Sequence, residues 1–163
     1  RFDFDYYFGT VAHRFAAQAV AGYPVTVYGK GEQRKPFVSL EDAVEGLAQL
    51  ALIDPDERPD DHVVYNQTTR AISIVEIANT IADVATDHGL DVDVEHFENP
   101  RDEDETHEME IEHGRYDELI GEQAQDFEAG IRDVFATLTD RADVIEAHED
   151  RFLPGVLEDR LDD

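Results

Sequence analysis

The sequence predicts an α/β fold, on three observations. Apolar residues recur at helical spacing in four stretches, Val11–Val20, Val44–Leu52, Ile74–Ala85 and Phe127–Leu138. Short β-type runs stand between them, at Val25–Tyr28, Phe37–Leu40, Val63–Asn66 and Leu90–Phe97. Hydrophobic residues make up 41% of 163, enough for a core in one domain or part of one. Helices that alternate with strands pack as layers on a sheet.

Composition narrows the function classes. With 40 acidic and 13 basic residues the formal net charge is -27, which argues against nucleic-acid binding. Arginine far outnumbers lysine, and the carboxylates are spread along the whole chain. This pattern is expected of a halophile protein, whose carboxylates keep the surface hydrated at molar salt; patterned clusters would instead suggest a dedicated cation binder. There is no cysteine, so disulfides and thiolate chemistry are excluded. Neither a signal peptide nor a membrane-spanning run is visible, which predicts a cytoplasmic protein without a membrane partner.

The elements follow in order. Arg1 to Asp5 alternates like a strand, and with Tyr6, Tyr7 and Phe8 forms an aromatic segment expected to pack on something outside this sequence. Thr10 is a fitting N-cap for a helix whose stripe is Val11, Phe15, Ala19 and Val20, stopped by Gly22 and Pro24. Two β-type runs come next, with Gly29 and Gly31 between them. Ser39 or Leu40 opens a second helix with a buried side of Val44, Leu47, Ala48, Ala51 and Leu52. Asp54–Asp61 is a charged, proline-broken loop. Ser73 and Glu76 have capping-box spacing ahead of Ile74, Ile77, Ile81, Ala82 and Val84 or Ala85, and Gly89 ends that helix. Leu90–Phe97 alternates as a half-buried strand. A very acidic stretch, Glu98–Glu112, precedes a short helix over Gly114–Ile120. A last helix runs from Phe127 and continues through Ala142, Ile145 and Phe152 until Pro154-Gly155.

The only two lysines, Lys30 and Lys35, flank Arg34 in one short stretch. In so acidic a chain such a group suits an anion, with glycines letting a ligand approach the backbone. The other reading is a hairpin whose basic tip offsets local acidity. Other motifs fail. Gly29-Lys30-Gly31-Glu32-Gln33-Arg34 lacks the third glycine and the strand–helix setting of a dinucleotide loop. His107-Glu108-Met109-Glu110-Ile111 ends on isoleucine where a zinc protease needs histidine. Asp102–Glu105 lacks the glycine of a calcium loop, and His96, His107 and His113 read as solvated rather than metal-ligating. No nucleophilic serine stands in a recognisable setting.

One set of residues carries a resemblance. Arg1-Phe2-Asp3 with Phe8-Gly9-Thr10, Arg14-Phe15, Pro24-Val25-Thr26-Val27-Tyr28-Gly29-Lys30-Gly31 with Gln33, Asn66-Gln67, and Asn99-Pro100-Arg101 with Glu103 stand in the order of UDP-sulfoquinovose synthases. Those are extended short-chain dehydrogenases/reductases, the group of nucleotide-sugar epimerases and dehydratases. The resemblance covers roughly Arg1 to Ile120; the Val-Tyr-Gly-Lys-Gly segment recurs across the whole group. Two places depart from it. Lys35-Pro36 stands where the family has arginine then glycine or aspartate, and His13 replaces an asparagine.

The resemblance implies that this is the C-terminal, nucleotide-sugar-binding portion, residues 1–153, with 154–163 a frayed tail. The Val63–Tyr65 strand would finish the sheet of a Rossmann half lying upstream. That half would bind NAD and carry the Tyr-x-x-x-Lys pair; no tyrosine here has lysine four residues on. This chain alone would be inactive. The backbone of Val27 and Tyr28 would face uracil, and Arg34, Lys35 and Arg101 would hold the diphosphate. Thr10, Arg14, Gln33 and Asn99 complete the implied substrate-binding set. The complete enzyme would resemble a homodimer that oxidises UDP-glucose at C4 with NAD, eliminates water, adds sulfite or another sulfur donor at C6 and reduces again. Two other classes stay open: a different UDP- or dTDP-sugar epimerase or dehydratase, and a non-catalytic remnant module.

Overall fold

The structure, a computed structural model, describes residues 9–54, 62–68, 70–99, 111–120 and 127–154. The aromatic start at Phe2–Phe8, the loop Pro55–Asp61, Arg101 with the acidic stretch 100–110 and its His107, and residues 155–163 of the expected tail lie outside those described.

Helix α1, Val11–Val20, opens on Thr10, whose Oγ1 accepts from the His13 amide at 3.3 Å. Its buried side is wider than the expected stripe: Ala12 and every residue from Phe15 to Ala19 are covered. The cause is packing on two helices and a strand at once, which small alanines permit. The chain turns at Gly22, with φ of 80°, and returns as β1, Val25–Tyr28. Strand β1 pairs in parallel with β4, Val94–Phe97, which places Tyr28 beside Phe97. The hairpin reading therefore fails, since β1 does not pair with the run after it. Only the second half of Leu90–Phe97 is strand; Leu90 and Val92 pack against the core from irregular backbone.

The second β-type run also shifts. Strand β2 is Arg34–Phe37, so the basic group lies within the strand and Val38–Leu40 does not extend it. Its antiparallel partner is β3, Arg70–Ser73, with Lys35 opposite Ile72. The expected strand Val63–Asn66 is irregular, and Val64 is exposed. Among the described residues no strand lies beside that segment, and β structure needs a partner for its N–H and C=O groups.

Helix α3, Ile74–Asp87, begins with the expected capping box: Ser73 Oγ accepts from the Glu76 amide at 3.2 Å, and Glu76 Oε2 from the Ser73 amide at 2.9 Å. Such a box contributes about 1 kcal/mol. Ile77, Ala78, Ile81, Val84 and Ala85 are buried, and Gly89 follows with φ of 81°. Helix α4, Gly114–Ile120, has the expected bounds. Helix α5, Phe127–Thr139, buries Ile131, Phe135 and Leu138. It does not continue to Phe152. The chain breaks at Arg141 and restarts as α6, Ala142–Glu146, then a 3-10 turn over Glu149–Arg151. Thr139 Oγ1 bonds back to the Phe135 carbonyl at 2.9 Å at the break. Ile145 and Phe152 are nonetheless buried in the same core.

Helix α2, Leu40–Leu52, is capped by Ser39, whose Oγ accepts from the Asp42 amide at 2.9 Å. Its orientation overturns the expectation. The side of Val44, Leu47, Ala48, Ala51 and Leu52 faces solvent, and Leu47 and Leu52 are 63% and 85% exposed. The covered side is Gly46, pressed against Tyr116 of α4 and Gln67. Gln67 Nε2 also donates to the Asp42 carbonyl at 2.6 Å. A small residue and polar contacts hold α2, so periodicity alone pointed to the wrong face.

The core joins α1, α3 and α5 over β1, and one buried polar side chain crosses it. Gln18 is 2% exposed; its Nε2 donates to Thr26 Oγ1 at 2.9 Å and to the Phe152 carbonyl at 3.3 Å, while its Oε1 accepts from the Thr26 amide at 3.2 Å. Gln18→Leu keeps the volume and strands these partners in a dry site. It is expected to destabilise the fold by about 2–3 kcal/mol, read by urea unfolding at fixed high salt. A variant as stable as the parent would show that water replaces the amide. Beside it, Tyr23 donates its hydroxyl to Glu149 at 2.9 Å. Burial first, then this carboxylate, raises the Tyr23 pKa, so the bond persists through neutral pH and weakens only as pH rises through that raised value.

Candidate functional site

Parallel strands present their carboxyl ends together, and ligands of open α/β sheets sit beyond such ends. Here β1 and β4 end side by side. The Gly29 amide donates to the Phe97 carbonyl at 2.8 Å, and the Tyr28 and Phe97 rings meet with centroids 6.4 Å apart. His96 Nδ1 lies 2.8 Å from the Gly29 carbonyl. Two connections leave from this edge, one through Gly29–Gln33 and one through Glu98 and Asn99.

The Gly29–Gln33 connection is pinned on the amino end of α3. The Val75 amide donates to the Gly31 carbonyl at 3.0 Å, and the Ile74 amide to the Gln33 carbonyl at 3.2 Å. Gly29 and Gly31 have φ of 64° and 70°, the left-handed region that glycine enters without strain. A Cβ on Gly31 would lie 2.7 Å from Val27 Cγ1. The loop is therefore closed onto the core and leads into a strand, unlike a dinucleotide loop that opens onto a helix.

Of the residues implied by the sequence, Val27 and Tyr28 lie at this edge, and Gln33 and Asn99 lie on the two connections that leave it. Val27 is fully buried in β1, and Tyr28 is half-buried at its end. Ala21–Pro24 return the chain from α1 to β1, and Gln18, near the end of α1 rather than its start, reaches Thr26. Thr10 caps that start from an exposed position, and Arg14 is half-buried one turn on. Asn99 is half-buried two residues past β4. Gln33 serves through its backbone carbonyl.

The two basic strand residues behave differently. Arg34 donates to the Ala71 carbonyl at 2.7 Å and pairs with Glu76 at 3.5 Å, the carboxylate that also closes the α3 capping box. Lys35 is exposed, one place along the strand, and successive strand side chains point to opposite faces. Arg34 and Lys35 thus do not meet at one point. Glu76 and its box also occupy the first turn of α3, leaving that terminus already neutralised. Arg101 falls outside the described residues.

Sequence reasoning missed a second cluster. Gln67 Nε2 donates to the Tyr116 hydroxyl at 2.9 Å, and Asn66 Nδ2 to the Glu112 carbonyl at 3.0 Å. A cleft of about 240 Å³ opens beside them, lined by Phe37, Val38, Tyr65, Asn66 and Thr68 among others. Among the described residues its lining includes neither Arg34 nor Lys35. The spacing of Gly46 from its neighbours was the available signal, because glycine inside a helix often marks a close approach. His113 pairs with Asp117 one turn on.

No family model matches the chain. Over 107 residues it is 39% identical to the UDP-sulfoquinovose synthase of Sulfolobus acidocaldarius, a match covering 66% of this chain and 27% of that protein. It is 36% identical over 119 residues to the chloroplastic UDP-sulfoquinovose synthase of Spinacia oleracea, covering 73% of this chain and 24% of the relative. The chain spans about a quarter of the length of these curated relatives. In fold it matches the UDP-glucose 4-epimerase of Thermotoga maritima, solved with UDP-glucose, at a TM-score of 0.63 and 20% identity, over 85% of this chain and 41% of that one. No helix among the described residues is long and apolar enough to cross a membrane. The chain is a partial domain of the extended short-chain dehydrogenase/reductase fold, related in sequence to the UDP-sulfoquinovose synthases.

Proposed function

We propose that this chain is the nucleotide-sugar-binding portion of an NAD-dependent enzyme that converts UDP-glucose and sulfite to UDP-sulfoquinovose. The observation that carries the reading is the 39% identity to such a synthase over 107 residues. The Gly29–Gly31 loop, filled by Val27 and Val75, does not offer the open glycine turn that an NAD pyrophosphate needs. Bound elsewhere in the enzyme, NAD would supply hydride transfer; this chain would hold and orient the nucleotide.

The uracil would lie along the end of β1, against the backbone of Val27 and Tyr28. Its diphosphate would be met by Lys35 and Arg101, with Thr10, Arg14, Gln33 and Asn99 bordering the sugar side. Arg34 would come to phosphate only by exchanging Glu76 for it, so Lys35 and Arg101 carry the larger share. The field of a -27 chain repels a diphosphate. At molar salt the screening length falls to about 3 Å, so direct hydrogen bonds decide the outcome.

The test is calorimetric titration of UDP into the purified chain at molar KCl, with NAD as a parallel titrant. Lys35→Ala and Arg101→Ala should each weaken UDP about tenfold to a hundredfold, since a charge-assisted bond contributes roughly 1.5–3 kcal/mol. Arg34→Ala should weaken it less and lower the melting temperature by unpairing Glu76. UDP binding untouched by Lys35→Ala and Arg101→Ala would sink the assigned site. Micromolar NAD binding would overturn the division of labour.

A further inference from the structure

We propose that Gln18 is a positioning residue for the nucleobase: it holds the Thr26 amide and so fixes where along β1 the base is met. This rests on the functional reading above, in which the end of β1 faces the base. The backbone of β1 points two ways by turns. The Val25 amide donates to the Asp93 carbonyl and the Gly29 amide to the Phe97 carbonyl, both at 2.8 Å. Val25, Val27 and Gly29 therefore face β4, and Thr26 and Tyr28 face the other edge. Among the described residues no strand covers that edge. A strand edge of this kind accepts a pairing partner in more than one register.

Gln18 removes one of those registers. Its Oε1 accepts from the Thr26 amide at 3.2 Å, in a site where Gln18 is 2% and Thr26 4% exposed. The other end of the side chain fixes which way round the amide sits. Gln18 Nε2 donates to Thr26 Oγ1 at 2.9 Å and to the Phe152 carbonyl at 3.3 Å. A carbonyl only accepts, so the Phe152 carbonyl must face Nε2, and Oε1 is left for the Thr26 amide. Burial of Ile145 and Phe152 and the Tyr23–Glu149 bond seat the C-terminal segment for this. With the Thr26 amide engaged, a base meets the strand at Tyr28, which stands opposite Phe97 of β4. Uracil and cytosine differ by exchanging donor for acceptor along one side of the ring. A fixed register selects between them, and a shift along the edge does not.

The test reads base preference, which a loss of stability alone does not move. UDP and CDP are titrated into the purified chain at molar KCl. The parent should prefer UDP by about tenfold or more, and Gln18→Leu should bring the two affinities within about twofold. Leu138→Ala is the control, at a buried position of α5 outside β1 and the Gln18 bonds. It should lower the melting temperature through a cavity and leave the preference for UDP unchanged. Hydrogen exchange gives a reading without ligand. In the parent the Thr26 amide should exchange at least about a hundredfold slower than in a free peptide. In Gln18→Leu it should lose that protection, while the Val25 and Gly29 amides, bonded to β4, keep theirs. A Thr26 amide that exchanges like a free peptide in the parent overturns the proposal, even if Gln18→Leu does not fold. So does an undiminished preference for UDP in Gln18→Leu. A parent that binds UDP no better than CDP instead overturns the functional reading, and leaves Gln18 no nucleobase to position.

Discussion

Gly31→Ala is expected to lower the melting temperature by about 5–15 °C and to abolish UDP binding at concentrations that saturate the parent. Three observations set the size. Gly31 has φ of 70°, where an L side chain costs about 1–2 kcal/mol. An added Cβ would lie 2.7 Å from Val27 Cγ1 and 3.1 Å from the Val75 amide nitrogen. Val27 is fully buried in β1 and cannot yield without disturbing the core, so overpacking adds about 1–3 kcal/mol. Together these cost about 2–5 kcal/mol, and a domain of this size loses about 2–4 °C for each. Gly22 is the control. It has φ of 80° but open space around a Cβ, so Gly22→Ala should show the backbone cost alone. Equal losses at the two glycines would show that the Val27 contact relaxes freely. The functional loss follows because the same loop joins Tyr28 at the end of β1 to Lys35 in β2 and so sets their relative position.

What the sequence shows in advance is what burial imposes on it. Phe15, Ile77, Ile81, Ile131 and Phe135 sit at helical spacing because each faces the same core, so α1, α3 and α5 are legible. Caps are legible too, since Thr10, Ser39 and Ser73 act through bonds only three residues long. Strand pairing is not local. Nothing near Arg34 announces that Arg70–Ser73 lies opposite, so β2 was placed a turn late and β3 was missed. The same holds for Arg34, whose attraction to phosphate is obvious from its type while its tie to Glu76 depends on a partner 42 positions away. Helix α2 shows the sharper limit. Its period identifies an apolar face, but the structure turns that face to solvent and covers Gly46 instead, through contacts with Gln67 and Tyr116 that are distant in sequence.

Raising KCl from 0.1 M to 2 M is expected to raise the melting temperature by more than about 10 °C, with far-UV circular dichroism gaining helix signal over the lower part of that range. Two electrostatic effects of opposite sign compete. Salt weakens favourable ion pairs, and it also weakens repulsion among like charges. Their balance is read from the surface. Arg132 bridges Asp87 at 2.7 Å and Glu128 at 2.6 Å, and the Glu128 bond first, then Asp87, raises its pKa. Arg34–Glu76 and His113–Asp117 are further pairs. All are partly solvated, and exposed pairs of this kind contribute little to stability. Against them stand 40 acidic residues and 13 basic ones, so most carboxylates have no cation to meet. Repulsion therefore dominates, and shortening the Debye length from about 10 Å to about 3 Å removes more cost than gain. A melting temperature indifferent to KCl would mean that the carboxylates are too far apart to feel one another, and the halophile reading would go with it.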